Sequence, residues 1–347
     1  MSKVTSAASR QILPVSVGNA INRFHSIRHY RKGTVEVPDF PPIMHVELTN
    51  VCNMKCPICP RTKMTRKKGY ISLELIDKII SETKNKAQFV TLHGWGESIL
   101  HPKIDIIGRK FKDAGFKIQL ATNATFLTPD RQAKLLKSGI DFLIFSIDAT
   151  TEETYNQMRI GGDYKNIIYN IETFIKNVKL QNLPITCLCQ LIYNKLNIKE
   201  AEKFREYWKE RGAHVWIKPY NNWNGEDKSE NYYFPGDIPQ ASESLCDWPW
   251  RQIVIHWNGN VVPCCCDYDN KVLLGNIYEQ PLPHIWNGKA YQEFRQQHLE
   301  GRKTIGFCRN CSYEPLRTIK QIAFIMLDYL QSLKIQTIME NYFRKKL

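Results

Sequence analysis

The chain has 347 residues, 43% of them hydrophobic, enough to bury a sizeable core and to divide into one large and one small domain. No apolar run approaches the length of a membrane span and the N-terminus lacks the apolar core of a signal peptide, which predicts a soluble, cytoplasmic protein. The 48 Lys and Arg against 34 Asp and Glu give +14, favouring anionic partners through long-range fields, and 11 cysteines in such a chain point to metal rather than disulfides.

Residues 1–42 carry Ser, Thr and basic side chains, among them Arg23, Arg28, Arg31 and Lys32, and end in Pro38, Pro41 and Pro42. Weak periodicity around Ile21–Tyr30 predicts an arm with a short amphipathic helix. From Ile43 short apolar runs alternate with amphipathic stretches. The runs Met44–Leu48, Phe89–Leu92, Phe116–Leu120, Phe142–Ile147, Ile185–Ile192 and His214–Ile217 predict strands. Helical patterns lie between them at Leu73–Thr83, Ile104–Ala114, Pro129–Lys137, Asp163–Leu180 and Ile198–Arg211, with cap-competent Ser72 and Thr128 opening two of them. This alternation over 43–221 predicts a parallel α/β sheet with right-handed crossovers, either open or curled into a partial barrel. Beyond Asn221 the rhythm stops, and Asn, Trp, Pro and Gly mark a second domain over 222–314.

Directly after the first strand stand Cys52, Cys56 and Cys59, spaced by three and then two residues. Three thiolates on so short a loop can hold three corners of a cubane iron–sulfur cluster and leave one iron open, whereas a zinc knuckle needs a fourth nearby ligand. The nearest histidine upstream, His45, falls inside the predicted strand. The basic run Arg61, Lys63, Arg66, Lys67 and Lys68 follows the loop at what would be the catalytic face of a barrel, so it reads either as solvated charge or as a site for an anionic substrate or acidic electron donor.

The strand ends carry polar groups in sequence. Gly94-Trp95-Gly96-Glu97 ends the second, where glycines admit a ligand close to the backbone and the carboxylate can accept from an ammonium group. Thr122-Asn123-Ala124 ends the third, Ser146-Ile147-Asp148-Ala149 the fourth, and Asn194 follows the fifth. Singly, each is an ordinary cap or turn residue.

In the C-terminal third, Cys246, Cys264 and the pair Cys308 and Cys311 can close a four-thiolate site, which suits a structural zinc and an iron–sulfur cluster equally by ligand count. Cys265 or Cys266 could displace Cys264 there. Cys187 and Cys189 share one face of a strand and read as core. From Pro315, Ile319, Ile322, Ala323, Met326, Leu327, Leu330, Leu333 and Ile338 recur at helical spacing, predicting an amphipathic helix over 315–347 that packs on the domains or touches a membrane surface or partner helix.

Together the cysteine loop and the strand-end motifs resemble the radical SAM superfamily, with Ile58 where an aromatic residue usually precedes the last cysteine and Trp95 in place of the middle glycine of a Gly-Gly-Glu motif. The resemblance implies a partial (β/α)6 barrel, one [4Fe–4S] cluster on Cys52, Cys56 and Cys59, and S-adenosyl-L-methionine (SAM) chelated by its open iron. It implies that Gly94, Trp95, Gly96 and Glu97 hold the methionine amino group and that Arg159 pairs with its carboxylate. Thr122, Asn123, Ser146, Asp148 and Asn194 would then line the cofactor, with Ser146 near the ribose. The segment Gly259–Cys264, with Leu274–Ile277 and Ile285–Asn287, is similar to the SPASM auxiliary-cluster domain. No cysteine follows Cys311, which fits the shortened Twitch form with a second [4Fe–4S] cluster on Cys246, Cys264, Cys308 and Cys311.

The function implied is reductive cleavage of SAM to a 5′-deoxyadenosyl radical that abstracts a substrate hydrogen, with Asp267 as the expected base in an oxidation. Related single-cluster enzymes point to oxidation or epimerisation of a small sugar-like or anionic substrate, a carbohydrate, aminocyclitol or nucleotide sugar, with a flavodoxin- or ferredoxin-type electron donor. Peptide modification is the alternative, and a zinc-stabilised module for anionic partners the remote one. No nucleic acid is expected.

Overall fold

The computed structural model describes residues 17–220, 223–224, 232 and 243–313. The helix expected over 315–347 lies outside the described residues.

The alternation of short apolar runs and amphipathic stretches becomes six parallel strands: β1 (Ile43–Val46), β2 (Phe89–Thr91), β3 (Lys117–Thr122), β4 (Phe142–Ser146), β5 (Thr186–Tyr193) and β6 (His214–Pro219), each hydrogen-bonded to the next in chain order. These six strands form the expected partial barrel. A strand turns alternate residues to opposite faces. On β3, Ile118, Leu120 and Thr122 are buried while Lys117, Gln119 and Ala121 are not. On β1, Met44 and Val46 are buried beside half-buried Ile43 and His45. The buried sets form the layer under the helices.

The helices are α1 (Val17–Lys32), α2 (Leu73–Thr83), α3 (Ile104–Asp113), α4 (Pro129–Lys137), α5 (Glu152–Met158), α6 (Tyr164–Leu180) and α7 (Ala201–Glu210). Their starts follow local chemistry. Ser72 Oγ accepts from Leu75 N at 3.0 Å, and Leu75, Ile76 and Ile79 then repeat at the spacing that buries one helical face. Thr128 and Asp163 cap α4 and α6 in the same way. The sequence pattern did not separate α5. It is a seven-residue helix capped by Thr151 within the fourth crossover, too short for its periodicity to stand out from α6.

The small domain adds α8 (Trp248–Arg251), β7 (Gln252–Ile255), β8 (Asn260–Val262), β9 (Gly275–Asn276), α9 (Leu282–Trp286) and α10 (Lys289–Gly301). Its first strand does not start a separate sheet. β7 pairs parallel with the open edge of β1, and β8 and β9 continue antiparallel, giving the order β6-β5-β4-β3-β2-β1-β7-β8-β9. The edge that a free β1 would expose is thus covered.

The described part of the expected N-terminal arm, residues 17–42, is a packed strap. Tyr30 Oη donates to Leu245 O at 2.8 Å, Trp250 Nε1 to Thr34 O at 2.7 Å, and buried Arg295 donates to Val35 O at 3.0 Å as well as to Pro249 O and Trp286 O. The weak periodicity of α1 has a cause. Its buried positions include Arg23 and Ser26, the former donating to Gln88 Oε1 at 3.2 Å, so the packed face is not purely apolar. Cys187 and Cys189 lie buried on one face of β5.

Candidate active site at the strand ends

All of the strand-end groups gather at the C-terminal edge of the six parallel strands, the catalytic edge of such barrels. The loop after β1 is fixed by its own polar residues. Thr49 Oγ1 donates to Gly69 O at 2.6 Å, Asn50 Nδ2 to Lys67 O at 2.9 Å, and Gly69 N to Asn50 Oδ1 at 2.9 Å. A Cβ on Gly96 would stand 2.2 Å from Thr49 O and 2.7 Å from Val51 O, so only glycine lets the second strand-end loop lie against the first.

Cys52, Cys56 and Cys59 lie close enough for their charges to act on one another. Two neighbours point donors at them: Asn123 Nδ2 lies 3.9 Å from Cys52 Sγ, and an Arg159 guanidinium nitrogen 3.9 Å from Cys56 Sγ. Burial, ahead of the repulsion between the sulfurs, pushes the Cys59 thiol up to about 11 and raises Cys52, so metal must displace protons to bind here. Arg159 Nε is buried without a partner. Three soft donors, a buried cation facing them and an unused N–H fit an anionic iron–sulfur cluster. Among the described residues no group of three His, Cys, Asp or Glu closes around a single ion.

Asp148 positions Arg159. One carboxylate oxygen pairs with the guanidinium and the other accepts from Ile192 N at 2.7 Å, with the side chain fully buried at a backbone φ of 66°. Burial opposes the charge on Arg159, but Asp148 and Cys56 outweigh it and hold the guanidinium charged. Glu97 is also tied down: Oε2 accepts from Asn123 N at 2.7 Å, and burial, only partly offset by this bond, raises its carboxyl to about 7. Thr122 Oγ1 accepts from Ala124 N at 3.0 Å, shaping the turn that places Asn123. Ser146 ends β4 half-buried, while Asn194 is buried and spends its side chain on its own turn, accepting from Leu196 N at 2.9 Å.

The basic run after the loop divides. Arg66 is a buried strut and not a substrate contact. It forms a bidentate, hydrogen-bonded ion pair with Glu47 at 2.6 and 2.8 Å, donates from Nε to Tyr268 O, and its backbone N donates to Asp269 Oδ1 at 2.9 Å. Glu47 also accepts from the backbone N of Trp95 and of Trp257. One ion pair therefore joins β1, the cluster loop, the second strand end and the small domain. Arg61 donates to Met54 O, bracing the cysteine loop from within. Sequence reasoning missed Glu47, although an acidic residue inside the predicted strand Met44–Leu48 was the available signal.

Trp95 packs edge-on against Trp223 and Tyr268, with ring centroids 5.0 and 5.5 Å apart, and Trp223 Nε1 donates to Ile58 O at 2.8 Å. The bulky residue at this motif position thus connects the cysteine loop to the small domain.

In that domain the charges of Cys246, Cys308 and Cys311 are all felt together with that of Cys264. The Cys266 thiol is hydrogen-bonded to the thiols of Cys264 and Cys265, and Cys265 is exposed toward the charge of Lys218. Buried Arg302 stands beside the four thiols and donates to Cys311 O at 3.2 Å and to Tyr313 O at 2.7 Å. Burial opposes its charge, but Cys311 and Cys246 raise its pKa, so a cation is stored next to the four-thiol site. Asp267, the expected base, lies directly after the cysteines. It is buried, and its two oxygens accept from Lys271 N and Val272 N, both at 2.8 Å, which closes the turn after the cysteines.

Below the strand ends, the face of the sheet turned away from the helices carries His45, His93, Gln119, Gln190, Trp216 and Lys218. His45 is bonded to Gln252 at 2.6 Å and stacked on Trp248.

Comparison with known proteins agrees with this geometry. Residues 46–207 match the model of the radical SAM superfamily and residues 246–312 that of SPASM, an iron–sulfur cluster-binding domain. A SAM-dependent 2-deoxy-scyllo-inosamine dehydrogenase of Niallia circulans is 23% identical, over 82% of this chain and 98% of that protein. An AdoMet-dependent heme synthase of Methanosarcina barkeri is 28% identical, over 81% and 91%. The crystal structure of BtrN in complex with AdoMet and 2-DOIA superposes with a TM-score of 0.56 at 22% identity, covering 81% of this chain and 97% of that one. The fold, the radical SAM domain with its SAM and [4Fe–4S] cluster, and the SPASM domain with its auxiliary iron–sulfur site are those of a SAM-dependent iron–sulfur enzyme. Among the described residues no helix is long and apolar enough to cross a membrane.

Proposed function

We propose that this chain, which belongs to the radical SAM superfamily and carries a C-terminal SPASM domain, oxidises or epimerises a carbon of a carbohydrate, aminocyclitol or nucleotide sugar. The observation that carries the reading is the set of polar groups on the barrel's inner face, where imidazole, amide and ammonium side chains stand among Ile144, Leu188 and Ile192 and can be satisfied by a polyhydroxylated substrate. The Niallia circulans dehydrogenase, whose name records an aminocyclitol substrate, supports it by matching over nearly its whole length.

When bound, SAM and the clusters supply reductive carbon–sulfur cleavage, hydrogen-atom abstraction and a site for the remaining electron. The chain's own part is orientation. Cys52, Cys56 and Cys59 would hold the first cluster, and Cys246, Cys264, Cys308 and Cys311 the auxiliary one. Gly94 to Glu97 would receive the methionine amine, Arg159 its carboxylate, and Thr122, Asn123, Ser146 and Asn194 would border the rest of the cofactor. Asp148 acts through Arg159. Asp148→Asn removes the charge that aims the guanidinium, and is expected to weaken SAM binding about tenfold with iron content unchanged, read by anaerobic equilibrium dialysis. A reduced flavodoxin or ferredoxin is the proposed electron donor.

The test is incubation of the reconstituted protein with dithionite, SAM and a panel of deuterated sugars, aminocyclitols and nucleotide sugars, with deuterated peptides as the contrasting set. Deuterium in 5′-deoxyadenosine, with SAM consumed once per turnover, is the expected result of an oxidation, and deuterium washed into regenerated SAM that of a SAM-recycling epimerisation. Label arriving only from deuterated peptides would overturn the reading in favour of a peptide-modifying maturase.

A further inference from the structure

Lys218 closes β6 at the catalytic edge, opposite Ile192 in the register with β5 and two residues beyond Trp216 on the same face. Its ammonium lies 4.7 Å from the centre of the Trp216 ring, and among the described residues no carboxylate pairs with it. The carboxylate whose charge acts on it most, Asp148, has one oxygen on Arg159 and the other on Ile192 N. Burial lowers the pKa of Lys218. A second group in the same space is also unsatisfied. His93, at the end of β2, has Nδ1 buried with no hydrogen-bond partner, and burial, with the charges of His45 and Lys218 adding to it, lowers the ring to about 3. A neutral imidazole and an ammonium without a carboxylate partner, both inside the barrel mouth, form a recognition site that the described residues leave incomplete.

The geometry points to Lys218, with His93 beside it, as the receptor of an anionic oxygen group of the substrate, a carboxylate or a phosphate. This rests on the proposed reaction and narrows its substrate class to acidic or phosphorylated sugars and cyclitols. SAM's own carboxylate is not the intended partner, because Arg159, fixed by Asp148 and facing Cys56, is the cation at the cluster.

The experiment uses the cluster-loaded protein saturated with SAM, with inorganic phosphate and acetate as probes whose binding is followed by ³¹P and ¹³C relaxation. Lys218→Met is expected to weaken whichever probe the site prefers by ten- to a hundredfold, and Lys218→Arg, which keeps the charge, by no more than a few-fold. His93→Phe is expected to reduce the same binding by a smaller factor. Equal binding of both probes to the wild type and Lys218→Met overturns the proposal. So does a Lys218→Met protein that loses SAM affinity while its probe binding is unchanged, since Lys218 would then serve the cofactor. The reaction reading fails separately: if probe binding depends on Lys218 but no sugar or cyclitol transfers label to 5′-deoxyadenosine, the anion site stands and the proposed chemistry does not.

Discussion

Replacing Arg66 with methionine is expected to destabilise the protein by about 3–5 kcal/mol, the loss typical of breaking a buried pair by removing one partner. Glu47 and Arg66 are both nearly inaccessible to solvent, with side chains 1% and 5% exposed, so Arg66→Met strands a carboxylate in the interior. His256 and Arg66 lower the pKa of Glu47 against the opposing effect of its burial. The stabilisation is therefore present at neutral pH and lost as the pH falls through the lowered folded pKa. In Arg66→Met the sign reverses. An uncompensated buried carboxylate has a raised pKa, so the deficit grows as the pH rises above the unfolded carboxylate value near 4.5. Denaturant titrations at pH 5 and pH 8 in the same cluster-loaded state check this. The double variant Glu47→Gln, Arg66→Met is expected to recover much of the loss, because no bare charge remains. A single-variant loss below about 1 kcal/mol, the scale of an exposed pair, would show that this contact is not the strut described here.

The second large effect concerns the cysteine loop. Changing Cys52, Cys56 and Cys59 together to alanine is expected to abolish 5′-deoxyadenosine formation. Iron should fall from about eight to about four per chain, because the four thiols of the small domain form a separate site. Iron analysis after anaerobic reconstitution, with product measured by chromatography, decides it. Retention of about eight irons would remove these three residues from the ligand set. The buried cations fit this separation: Arg159 faces the first set of sulfurs and Arg302 the second, so each site has its own compensating charge.

Much of this was legible along the chain. The alternation from Met44 to Ile217 fixes a parallel sheet, because its period-two and helical stretches follow one another in a strict order that local backbone preferences can carry. The three-cysteine loop and the strand-end polar groups were legible for the same reason, since each is a contiguous run of a few residues. What was misread depends on contacts far apart in sequence. Arg66 looked like one member of an exposed basic run, and only its pairing with Glu47, 19 residues away, makes it structural.

The sequence by itself determined the strand–helix order, the cysteine spacing that selects iron–sulfur chemistry, and the family, because these are local patterns of side-chain period and donor type. Only the tertiary structure decided that β7 completes the edge of β1, that the N-terminal strap packs on the small domain, and that His93 and Lys218 share one unsatisfied space. Strand pairing and burial are set by which distant surfaces exclude water together, and no short window of sequence contains that information.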